Sequence, residues 1–239
     1  MTPPELLRVL RAELAASVDP KYREGQVRFF CETVKPYGVR APALRKIEQA
    51  AWRDVRQWPP AQRNRFCEEL WKSGKFEEGA LAIYLCRRLR KQCGAAEFRR
   101  FEKWIDRYVD NWAHCDGVAS WLLAAAIENE PSLIARLFAW TASKDRWKRR
   151  ASIVALLQEA KRGRHTEAVF RIATALIEEK DDMVRKGVGW VLKEAYPKRP
   201  REVVEFLIER KDRAPRLVLR IAAEKMTARD RARVLKLGK

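Results

Sequence analysis

The pattern Lys-Asp-x3-Arg occurs three times in the C-terminal half of the chain, as Lys144-Asp145 with Arg149, Lys180-Asp181 with Arg185, and Lys211-Asp212 with Arg216. The copies are 36 and then 31 residues apart. In the first two, the arginine opens an apolar helical run, Ala151-Ser152-Ile153-Val154-Ala155-Leu156-Leu157 and Gly187-Val188-Gly189-Trp190-Val191-Leu192. A turn aspartate followed by an arginine in the next helix, at this period, is the signature of HEAT-type helix pairs. One pair cannot bury its apolar face alone, so neighbours stack and the fold grows as an array. The expected architecture is all-α, an α-solenoid of HEAT-like repeats with a concave cationic face, and residues 1–239 are read as one such domain.

The rest of the chain follows the same pattern. Pro20, Pro42, Pro59-Pro60, Pro131, Pro197 and Pro200 stand at helix-length intervals, where proline opens a helix without losing a hydrogen bond. Between them apolar residues recur at three and four, as in Leu133, Leu137 and Trp140. Roughly a dozen helices are expected at ordinary helix lengths.

Charge narrows the function. Lys and Arg total 51 against 32 acidic residues, a formal net charge of +19. Such an excess points to a polyanionic partner. No run approaches the roughly 18 apolar residues of a spanning helix, and the N-terminus lacks the basic and apolar regions of a signal peptide. Five cysteines, at positions 31, 67, 86, 93 and 115, form no Cys-x2-Cys pair, and there are two histidines. Neither a metal site nor a disulfide framework is expected, and a reducing cytoplasm is the simplest compartment.

Within Asn111-Trp112-Ala113-His114-Cys115-Asp116 an indole stands four residues before a carboxylate, which on a helix places both on one face. A carboxylate on an anion-attracting surface opposes binding, so it serves either structure or a positive charge that forms there. Trp112 precedes Trp147 by 35 residues, which places Trp112 and Asp116 one repeat before Arg150, with Trp190 one repeat after it. On a concave face, Arg150 suits a phosphate by its fork geometry. Two indoles make electron-rich walls for a sugar or base. A carboxylate between them suits the oxocarbenium-like centre that forms when a glycosidic bond breaks. A base already cationic through ring alkylation leaves neutral and needs no general acid. Each residue alone also has an ordinary role: a core tryptophan, a capping aspartate, an arginine on a solvated face. His114 lies two positions from Trp112 and reads as structural or exposed. Cys115 has no histidine placed to activate it.

Four ordered stretches resemble the AlkD-like DNA alkylation repair glycosylases, a HEAT-like repeat family. They are Tyr37-Gly38-Val39-Arg40-Ala41-Pro42-Ala43-Leu44-Arg45, Asn111-Trp112 with Asp116, Trp147-Lys148-Arg149-Arg150-Ala151, and Lys186-Gly187-Val188-Gly189-Trp190-Val191-Leu192-Lys193-Glu194. The resemblance covers roughly residues 20 to 210 and implies a monofunctional, cofactor-free glycosylase. Its implied partner is double-stranded DNA carrying cationic alkylpurines such as 3-methyladenine and 7-methylguanine. Trp112 and Trp190 would then contact the lesion sugar, and Asp116 would stabilise the oxocarbenium-like centre and position water. Arg150 would hold the backbone, with Arg45, Lys148, Arg149 and Lys193 as further DNA contacts. A monomer in a bacterial-type cytoplasm, associated with the nucleoid, is expected. Two departures stand out. Arg28-Phe29-Phe30 lies where a tyrosine is common, and Ala41 where a threonine is common, so two hydroxyls are absent. The alternative is a non-catalytic HEAT-repeat scaffold that binds nucleic acid or an acidic protein.

Overall fold

A computed structural model describes residues 1–236. Among these residues the chain is helical throughout, and its one β-type contact is an isolated antiparallel bridge between Val18 and Val39. It divides into two compact units, Met1–Arg90 with Tyr108–Gly117, and Lys91–Arg107 with Val118–Lys239.

The first unit contains α1 (Pro3–Ala16), α2 (Pro20–Phe29), α3 (Ala41–Val55), α4 (Pro60–Lys72) and α5 (Phe76–Arg87). The next helix, α6 (Ala95–Tyr108), belongs to the second unit except for its last residue, and the short α7 (Trp112–Gly117) returns to the first. Proline occupies the first turn of each of α1 to α4. The buried face of α1 is Leu6, Leu10 and Leu14, and that of α3 is Leu44, Ile47, Ala51 and Val55. These spacings of three and four give one apolar stripe per helix. Both stripes converge on α4 and α5, where Phe66, Leu70, Leu81 and Leu85 complete the core. By contrast, α2 buries none of its residues.

Two glutamates open α5, and both are buried: Glu77 is 1% exposed and Glu78 0%. Glu77 accepts the backbone N–H groups of Tyr37 at 2.7 Å, Gly38 at 2.9 Å and Val39 at 3.0 Å. Glu78 takes Arg11 in a two-pronged pair, with Nη2 at 2.9 Å, and the Tyr37 hydroxyl at 2.8 Å. Burial and the Glu78 contact push the Tyr37 phenol up to about 12. The segment leading into α3 is therefore fastened to α5. Gly38 is required there, because φ is +91° and a Cβ would stand 2.5 Å from Arg23 Cβ.

The second unit continues with a π-helical turn (Val118–Leu123), α8 (Ala124–Asn129), α9 (Ile134–Trp140), α10 (Arg146–Val154), α11 (Leu157–Arg162) and α12 (Thr166–Ala175). It closes with α13 (Asp182–Ala195), α14 (Pro200–Arg210), α15 (Arg216–Ala222) and α16 (Ala228–Leu235). The count exceeds a dozen because the chain breaks between α10 and α11 and at the π turn. Helices α10, α13 and α15 pack in series, which is the repeat expected from the sequence.

The physical content of the Lys-Asp-x3-Arg pattern is now visible. Asp145 accepts the Trp147 N–H at 2.8 Å, and Asp181 accepts the Met183 N–H at 2.8 Å, so each caps the helix that follows. Such caps contribute about 1 kcal/mol each. Each arginine turns back onto the preceding turn: Arg149 to the carbonyls of Ser143 and Lys144, and Arg185 to the carbonyl of Glu179. The third copy diverges. Pro215 opens α15 with no side-chain cap, and Arg216 reaches the Leu235 carbonyl.

Two glycines let α13 nest between its neighbours. A Cβ at Gly187 would stand 3.3 Å from Arg150 Cγ on α10, and one at Gly189 would stand 2.8 Å from Ile221 Cβ on α15 and 3.1 Å from the Val218 carbonyl. Gly189→Ala therefore forces α13 and α15 apart. Overpacking of this kind costs about 1–3 kcal/mol, and at roughly 2–4 °C per kcal/mol for a chain of this size the Tm falls by several degrees. A calorimetric melt checks this, and an unchanged Tm would refute the close approach. The Gly187 variant loses less, since its contact is a long side chain.

Candidate active site

Helix α7 begins at a cap built by Asn111. The Asn111 Oδ1 accepts the His114 N–H at 2.9 Å, while its Nδ2 donates to Asp110 at 2.8 Å and to His114 Nδ1 at 3.0 Å. The other ring nitrogen, Nε2, lies 2.9 Å from the Phe76 carbonyl. A carbonyl only accepts, so Nε2 carries the proton and Nδ1 accepts from the amide. Burial pushes the His114 pKa down, which keeps the ring neutral. His114 is thus a buried strut between α7 and α5. Gly79 makes room for it, since a Cβ there would meet the ring at 2.8 Å. Cys115 is fully buried.

This cap orients Trp112. The indole is half-buried and stacks on Phe30, with ring centroids 5.4 Å apart and planes 23° apart. Phe29 meets the same indole edge-on at 5.9 Å and is 68% exposed. Phe30 also packs on Phe76 at 5.3 Å, and Phe76 stacks on His114 at 4.9 Å. An aromatic wall thus runs from the end of α2 through α7 into α5. Asp116 stands one helical turn beyond Trp112, half-buried. Their Cβ atoms are about 5–6 Å apart by helix geometry. The Trp112–Asp116 pair is the arrangement the spacing anticipates. Phe29, Phe30 and Phe76 are additions that spacing could not supply, the first two from the Arg28-Phe29-Phe30 stretch. Ala41 is the exposed first residue of α3.

The second unit holds Arg150 and Trp190. Arg150, on α10, is 5% exposed and donates through Nη1 to the Met183 carbonyl in the first turn of α13. Its side chain lies under Gly187. Trp190 is half-exposed on α13, three residues beyond that glycine. Arg150 is therefore a buried strut between α10 and the helix that carries Trp190, where sequence alone suggests a surface anchor.

The remaining cations differ in how far they are committed within the fold. Arg149 directs Nε and Nη2 to Glu179, at 2.6 and 3.4 Å, and Nη1 to two carbonyls, which together take four of the five N–H groups of a guanidinium. Lys148 contacts Asp106 at 2.8 Å and Glu102 at 3.2 Å. Burial pulls its pKa down, but the two carboxylates outweigh burial and the net shift is upward. Lys193 contacts Glu224 at 2.8 Å. Arg45 is exposed on α3 and lines a cavity in the first unit. Among the described residues no cluster of metal-ligating side chains occurs. Nor, among those residues, is any helix long and apolar enough to cross a membrane.

The model of the DNA alkylation repair enzyme family matches residues 10–226. The chain belongs to that family. No curated protein sequence matches it. Among solved structures it is similar to a "Predicted DNA alkylation repair enzyme from Enterococcus faecalis", at 15% identity with a TM-score of 0.80, over 89% of this chain and 98% of that one. At that identity the likeness shows a shared fold, and the family match spans parts of both compact units.

Proposed function

We propose that this family member is a monofunctional DNA glycosylase that hydrolyses the N-glycosidic bond of cationic alkylpurines, 3-methyladenine and 7-methylguanine among them, in duplex DNA. The observation that carries the reading is Asp116, a carboxylate one turn from a wall-mounted indole in a chain of net charge +19. As the bond to C1′ breaks, its electron pair moves onto the base and cancels the ring's positive charge. The base departs neutral, and positive charge develops on the sugar. Asp116 stabilises that charge and orients the water that adds to C1′. Trp112 and Trp190 contact the lesion sugar through their electron-rich faces. Arg150 fixes α13 and, from that position, contacts a backbone phosphate. Arg45 adds a phosphate contact. Lys148, Lys193 and Arg149 reach DNA only where phosphate displaces their carboxylate partners, and Arg149 gives up the most in doing so. A monomer acting on nucleoid DNA in the cytoplasm completes the reading.

The test is direct. Purified protein is incubated with methylated duplex DNA, and released bases and abasic sites are measured. Release of 3-methyladenine and 7-methylguanine is expected. DNA binding without release of any cationic alkylpurine would overturn the reading and leave a non-catalytic DNA-binding member.

A further inference from the structure

A cavity of about 320 Å³ in the first unit is lined by Arg45 and Glu48 of α3, Tyr84 and Arg87 of α5, and Arg88 and Arg90 just beyond α5. Four of its six lining residues are arginines and one is a carboxylate, so the lining carries a formal charge of four minus one, or +3. Glu48 is committed to Arg88, with Nε–Oε1 at 2.5 Å and Nη2–Oε2 at 2.9 Å, and Arg88 also lies over the Trp52 ring at 5.5 Å. Both partners line the cavity. Glu77, in the first turn of α5, takes the Val39 N–H just before α3, and Glu48, seven residues into α3, meets Arg88 just past the end of α5, so α3 and α5 run side by side along the cavity.

We propose that this cavity is a phosphate site, filled by the sugar-phosphate backbone of DNA and separate from the Trp112–Asp116 pair. Guanidinium forks match phosphate oxygens two at a time. The volume lies at the low end of the roughly 300–1,000 Å³ range of small-ligand sites, which suits a phosphate with its flanking sugars. The proposal rests on DNA being the substrate, but not on excision.

The experiment uses the full chain and an undamaged duplex, and reads binding alone, so failure of the glycosylase reading leaves it interpretable. Affinity is followed by fluorescence anisotropy between roughly 50 and 200 mM salt. Arg45→Ala, Arg87→Ala and Arg90→Ala are compared with Arg56→Ala, an exposed arginine outside the cavity. Each cavity variant that removes a phosphate contact is expected to reduce the log–log salt slope by about 0.9. Arg56→Ala is expected to leave it near the wild-type value. Arg87→Lys, which keeps the charge, should restore the slope while binding stays weaker, a split that a folding defect does not produce. Unchanged slopes in the cavity variants, or an equal fall with Arg56→Ala, overturn the proposal. Inorganic phosphate at constant ionic strength supplies the second arm. If it binds the wild type and not the variants while the duplex slopes do not change, the site takes free phosphate and the DNA assignment falls.

Discussion

Asp116→Asn is expected to cut the single-turnover excision of 7-methylguanine by about 10²–10³, the range found when one electrostatic stabiliser of a transition state is removed. That corresponds to roughly 2.7–4 kcal/mol at the barrier. Asparagine keeps the shape of the side chain and removes its charge, so packing along α7 is preserved. The Asn111 cap and the His114 strut hold that helix from its other end. Duplex binding should stay equal or tighten, because a negative charge facing phosphates is removed. The two effects have opposite signs, and this separates a carboxylate acting on a developing cation from one that merely supports the fold. Loss of binding together with loss of excision would mark Asp116 as structural. Excision at the wild-type rate would sink the mechanism.

The repeat was readable because its parts are local. Asp145 and Asp181 cap helices that begin one residue later, and the prolines mark first turns by fixed backbone geometry. The glycines of α13 were visible as a motif, but their reason was not: the close approaches involve Arg150 and Ile221, more than thirty residues away in either direction. Long-range pairing explains the other gaps. Arg149 and Lys148 look like a cationic face in sequence, yet their carboxylates, Glu179 and Asp106, come 30 and 42 residues away. Trp112 was legible as an indole above a carboxylate. Its wall was not, because Phe29 and Phe30 lie on one side of it in sequence and Phe76 between them, on helices brought together only by the fold.

Glu77→Ala is expected to cause the largest loss of stability, about 3–5 kcal/mol, because it strips a buried carboxylate acceptor from several backbone donors at once. An acid in the first turn of a helix, as Glu77 is, is ordinarily solvated and favourable to the dipole. In the fold it is the acceptor for three consecutive backbone N–H groups, those of Tyr37, Gly38 and Val39. Removing it leaves three buried donors, each costing about 1–3 kcal/mol when unsatisfied, partly offset where water enters the space. Glu77→Gln should fall between the two, because Oε1 already takes Gly38 and Val39, leaving an amide NH2 opposed to the Tyr37 N–H. Tyr37→Phe should lose far less, about 1 kcal/mol, since it removes one hydrogen bond to Glu78 and leaves Arg11 in place. Denaturant unfolding of the three variants ranks them, and amide hydrogen exchange at Tyr37, Gly38 and Val39 reads the same loss locally. An alanine variant within 1 kcal/mol of wild type, with those amides still protected, would show that the segment is held by other means. The consequence reaches the proposed phosphate site as well. This segment sets where α3 begins, so slackening it should displace Arg45 and weaken duplex binding in the same variants, in the same order.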